Sequence, residues 1–136
     1  MRVLSIALVL ALGACSGAPA NVATSNDQAP AAASASRFAP AAIDAMKKQL
    51  LSEPRIRDIT FNAGEGVTWQ VGVDDDGSSR IGLAQYVCQL LGEKQLSDDR
   101  TDVRVVDLAK ASRSGGDFRA ASLGHVRCRD GQNLGT

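Results

Sequence analysis

Aromatic residues are scarce in this chain of 136 residues: Phe38, Phe61, Trp69, Tyr86 and Phe118 are all it has. The length fits one domain, and so few large rings make a small core that leaves its stability marginal. Histidine is rarer still, with His125 alone. Zinc needs several His or Cys ligands close together, so no metal is expected, and no cofactor motif is visible. Charge shows no excess of either sign, with 15 Lys+Arg against 15 Asp+Glu. That removes the electrostatic footprint of a nucleic-acid binder. Long apolar runs are missing too. Residues 3–12 form a run broken by Ser5, well short of the ~18 residues a membrane span requires.

That short run nevertheless has a context. Arg2 precedes it, and Gly13 and Ala14 close it, giving the charged, apolar and small-residue regions of a secretory signal. Leu12-Gly13-Ala14-Cys15 resembles the bacterial lipobox. The resemblance implies that residues 1–14 are a signal peptide removed before Cys15, that the Cys15 thiol is diacylated, and that its new amine takes a third chain such as palmitate. Each buried methylene contributes ~0.8 kcal/mol, so three chains tether firmly where one holds only marginally. Ser16 occupies the position where the enterobacterial sorting pattern places an inner-membrane Asp. The resemblance therefore implies an outer-membrane protein facing the periplasm. Loss of Arg2 would leave the mature chain with one more acid than base. With Cys15 assigned to lipid, Cys88 and Cys128 remain as an exported pair, and a disulfide bond between them is expected.

Residues 15–37 are the lipidated cysteine and a tether of Ala, Ser, Pro, Asn, Thr and Gln. Such a segment cannot bury enough apolar surface to offset its conformational entropy, so disorder is expected. The folded domain should span residues 38–130. Pro40 suits a first helical position, and Ile43, Met46 and Leu50 follow on one face, until Pro54 stops the helix. Ile59 and Phe61 alternate, residues 62–66 read as a hairpin loop, and Val67, Trp69, Val71 and Val73 give the clearest period of two. Residues 74–79 form an acidic turn expected to cap a second helix over residues 79–92, with Leu83, Val87, Cys88 and Leu91 on its stripe and Gly92 as C-cap. Residues 103–108 make a third strand whose inward face is ambiguous. Residues 112–117 read as a Ser/Gly loop, residues 121–129 as a weaker strand, and residues 131–136 as a frayed tail.

The fold expected is α+β: a small sandwich of two helices on one face of a mainly antiparallel three- or four-stranded sheet, in the order αββαβ with one further strand. Leu50-Leu51-Ser52-Glu53-Pro54-Arg55-Ile56, then two strands, a helix and a strand, resembles the BON domain of bacterial envelope proteins over roughly residues 41–108. The resemblance implies a membrane- or partner-associating module without catalysis. The cysteine pair and the Gly-rich C-terminal segment depart from that pattern.

Catalytic and metal motifs fail on inspection. With Gly77 as the sixth residue of a calcium loop, Gly72 would be first and Leu83 twelfth, so two essential ligands are missing. Ala120-Ala121-Ser122-Leu123-Gly124 resembles an Ala-substituted nucleophile elbow, but that elbow belongs to a much larger hydrolase sheet. Trp69 and Tyr86 could line a groove, although apolar-stripe aromatics are more often core. Residues 53–76 hold six acids and two arginines, whereas residues 110–129 hold five bases and one acid. Arg119, Arg127 and Arg129 therefore offer a basic face to anionic polymers or headgroups. The reading that follows is a lipid-anchored envelope protein, not an enzyme, whose domain binds an envelope or secretion-system protein or an anionic polymer. A small hydrolase or ligand-binding enzyme, and a purely structural tethered domain, are the alternatives.

Overall fold

A computed structural model describes residues 37–135. The expectations placed on residues 1–36, including the signal peptide, Cys15 and the tether, lie outside the described residues. Seven elements follow in order: α1 (Pro40–Leu51), β1 (Asp58–Ala63), β2 (Val67–Val73), α2 (Ile81–Glu93), β3 (Thr101–Asp107), α3 (Leu108–Arg113) and β4 (Ser122–Arg127). The strands lie in sequence order, β1-β2-β3-β4. The β1–β2 and β3–β4 pairs are antiparallel, whereas β2 and β3 run parallel. A parallel pair cannot be joined by a hairpin, and α2 supplies the crossover. The fold is the expected α+β one, with one helix more than expected.

Period-two alternation sorts the sheet into two faces. Trp69 pairs with Phe61 and Val103, and Val71 with Ile59 and Val105, so these side chains share the inner face. The α1 stripe of Ile43, Met46 and Leu50 and the α2 stripe of Ala84, Val87, Cys88 and Leu91 close over it as one core. Trp69 is 0% exposed, and the Phe61 ring meets it edge-on with centroids 4.9 Å apart. The residues expected to form the core are there, although Phe61 and Leu83 are only partly buried at its margin. Gly124 lets α2 sit this close to β4. A Cβ at that position would lie 2.8 Å from backbone atoms of Arg80 and Ile81, which cannot yield as a side chain could.

The Cys88–Cys128 disulfide is present, linking α2 to the residue after β4 across a sequence separation of 40. Its Cα atoms are 5.0 Å apart, within the range a relaxed bridge spans.

Four local expectations need correction. The acidic turn does not cap α2. Asp75 Oδ1 accepts from the Gly77 N–H at 2.8 Å, and Asp76 Oδ1 from the Ser78 N–H at 3.1 Å, so the turn closes on itself. Arg80 occupies the α2 N-cap without a side-chain cap bond. Gly92 lies inside α2, and Lys94 ends it. Leu108 leaves the third strand to begin α3, capped by the Asp107 carboxylate accepting from Ala109 N–H at 2.9 Å. Finally, the C-terminal stretch is docked. Leu134 N–H donates to His125 C=O at 2.8 Å, Arg127 N–H to Gln132 C=O at 2.9 Å, and Val126 bridges Asn133.

The ambiguity in the third strand has a structural answer. Val103 and Val105 face the main core, while Val106 points the other way and joins Ala111 and Ala121 in a second, small cluster. A β-bulge between Val105 and Val106 accompanies the change. Thus α1 and α2 cover one face, and α3 covers one end of the other.

Candidate functional site: the outer face of the sheet

Beyond α3, the outer face is polar. The register places Thr68 beside Asp102 beside Arg127, and Gln70 beside Arg104 beside His125. These residues alternate with the buried valines and the tryptophan, so the packing that fixes the inner face also fixes where they point. Thr68 donates its hydroxyl to Asp102 Oδ1 at 3.1 Å. His125 Nε2 lies 2.7 Å from Asp102 Oδ2, and Arg104 Nη2 lies 3.2 Å from His125 Nδ1. A guanidinium can only donate, so Nδ1 accepts and the proton sits on Nε2, donated to Asp102. Both imidazole nitrogens are thereby occupied. His125 orients Arg104 and has no free lone pair with which to act as a base.

Two walls rise from this floor. One is the loop after α3, where Gly115 and Gly116 turn with φ of 65° and 91°, a region that side chains disfavour. Asp117 Oδ1 fixes the loop by accepting from the N–H groups of Arg119 and Ala120, each at 3.0 Å. The other wall is the docked C-terminal stretch with Leu134 and Gly135. Between the walls lies a cleft of about 300 Å³ lined by Arg104, Arg119, Ser122, His125, Leu134 and Gly135. A second, of about 360 Å³, opens toward Thr68, Gln70 and Phe118, with Arg104 and Arg119 shared between the two.

Several features of these clefts are unspent. No carboxylate pairs with Arg104 or Arg119 among the described residues. Ser122 Oγ and Gln70 Oε1 are buried without a hydrogen-bond partner, a condition that ordinarily costs about 1–3 kcal/mol per group. Phe118 and Leu134, 37% and 42% exposed, are two of the four large apolar side chains left in solvent among the described residues. They stand on the clefts' rims.

The binding residues expected from sequence do not assemble here. Trp69 is wholly inside the core, so its groove role is withdrawn. Tyr86 is 41% exposed on α2, away from the outer face. Its hydroxyl lies 3.1 Å from Glu53 Oε1, and that hydrogen bond to the carboxylate raises the phenol pKa above its usual value. Arg127 and Arg129 both pair with Asp130, at 3.2 and 3.5 Å. Only Arg119 reaches the clefts. The sequence reading does not single out Arg104 or Gln70, and it meets Ser122 only within the elbow likeness, although Asp102 and Arg104 alternating with Val103 and Val105 carried the signal: charges at every second strand position share one face.

Elsewhere, the acidic turn is electrostatically satisfied. The Ser78 hydroxyl, then its N–H and the Arg80 guanidinium, hold the Asp76 carboxyl down at about 2. Compared with protein-family models, curated proteins and solved structures, the chain matches none. The BON likeness therefore rests on the quoted residues and element order alone.

Proposed function

We propose that this chain is a lipid-anchored protein of the bacterial cell envelope, more specifically of the outer membrane facing the periplasm. Its α+β domain acts as a non-catalytic binding module for another envelope component, either a protein such as part of a secretion machine or an anionic polymer. The observation that carries this reading is the Cys88–Cys128 disulfide. It accounts for two of the three cysteines and leaves Cys15, directly behind the apolar leader, as the remaining thiol. A disulfide also suits an exported compartment. The walled, polar outer face is the surface such a module would present, because the inner face is fully occupied by α1 and α2.

The hydrolase alternative finds its nearest approach in Ser122, His125 and Asp102, all on the outer face. There the imidazole nitrogen not bonded to Asp102 faces Arg104, which supports the non-catalytic reading.

The test is fractionation of a Cys15→Ser variant. It should leave the membrane fraction after an alkaline wash and accumulate as a larger precursor. Continued membrane retention would refute the anchor.

A further inference from the structure

We infer that the cleft between α3's following loop and the C-terminal stretch is a binding site for a small oxyanion, a carboxylate or phosphate carried on a carbon body. This deepens the binding-module reading and rests on it, but not on the lipid anchor. Three observations converge on one space. Arg104 is braced from behind by His125, itself held by Asp102 and Thr68. One guanidinium N–H is spent on that bracing, and the fork has five. Arg119, on a loop pinned through Asp117, lines the same cleft. Ser122 lines the cleft as well, and its buried Oγ has no partner, which leaves a hydroxyl to donate to an anion or accept from a hydroxylated one.

The size and rim of the cleft indicate what carries the charge. A volume of about 300 Å³ sits at the lower end of small-molecule sites and exceeds what a bare oxyanion fills. Leu134 flanks this cleft, and Phe118 flanks its neighbour across the shared arginines. Apolar edges around a cationic floor suit an anion attached to a carbon framework, with the head on Arg104 and Arg119 and the body against the rim. Asp102 and Asp117 stand nearby, each already holding hydrogen bonds from within the protein. Affinity should thus come from donor geometry more than from net field, and millimolar binding is the expected scale.

The experiment uses the full chain, purified from whichever cell fraction holds it and labelled for amide NMR. Inorganic phosphate, glucuronate and neutral glucose are titrated separately at constant ionic strength. Saturable shifts clustered at Ser122, His125, Leu134 and Gly135 with phosphate or glucuronate, and none with glucose, support the site. Whichever anion binds more tightly identifies the head group. Arg119→Ala, a change at an exposed loop position, should weaken binding at least about tenfold, as loss of a charged hydrogen bond does. Ser122→Ala separates binding from folding. It should weaken binding while leaving thermal stability equal or higher, because it removes an unpaired buried hydroxyl. No saturable shift with either anion, equal shifts with glucose, or anion shifts unchanged in Arg119→Ala would overturn the inference. None of these depends on Cys15, so failure of the anchor and failure of the site are separately visible.

Discussion

The two faces of one sheet follow opposite rules. On the inner face, Trp69, Val71, Val103, Val105 and Val126 are fully buried under two helices. On the outer face, a single short helix covers one end, and the rest keeps Thr68, Asp102, His125 and Arg104 in a hydrogen-bonded row with Gln70 beside Arg104. Both faces come from the same strands, one residue out of step. The inner face is organised by burial, and the indole N–H of Trp69 is the one polar side-chain group buried within it without a partner among the described residues. The outer face is organised by hydrogen bonds, and two of its polar atoms have none. Stability resides on the first, and the binding proposed above would fall to the second.

The contrast breaks most severely at Trp69. Trp69→Ala should cost ~3–5 kcal/mol, the range for large-to-small changes in a packed core, read as a lower urea midpoint. Trp69→Phe should cost much less, because it keeps most of the ring volume and removes an indole N–H that has no partner. A small loss for the alanine variant would mean that the inner face is not where stability lies.

Next in size is the link at the sheet's edge. The disulfide closes a sequence separation of 40, for which the chain-entropy relation gives at most about 4 kcal/mol. A Cys88→Ala/Cys128→Ala variant should be destabilised by up to that amount, and the denatured wild-type protein should resist alkylation at both cysteines until reduced. Free thiols before reduction would instead leave β4 held by hydrogen bonds and packing alone.

How legible each face was follows from the same physics. The inner face was readable because burial writes a period into the sequence: Ile43, Met46 and Leu50 on a helix, Val67, Trp69, Val71 and Val73 on a strand. The disulfide was reached from cysteine arithmetic. The outer face was not, since its residues are ordinary polar types whose meaning lies in register. Arg104 and His125 are neighbours only because of the antiparallel register in which β3 pairs with β4. The short helix α3 escaped notice because its six residues, LAKASR, are too few to show a helical period. Similarly, the C-terminal stretch has no apolar pattern, and it docks through backbone hydrogen bonds that composition does not reveal.

The smallest effect sits where the two faces meet. Asp107 ends β3, is largely buried, and turns the chain into α3 by accepting from Ala109 N–H. That bond satisfies one of the orphan N–H groups at a helix start, and such caps are worth ~1 kcal/mol. Asp107→Ala should lower stability by about that amount, whereas Asp107→Asn, which retains an accepting oxygen, should recover most of it. The change should also be local. Amide exchange should quicken in α3 and around Ala121, which packs with Ala111 and Val106, while the α1 and α2 amides over the inner face keep their protection. If both variants lose equally, the negative charge rather than the cap is what matters at Asp107. If protection falls across α1 and α2 as well, the outer helix is not a separate cover but part of the same cooperative unit as the core.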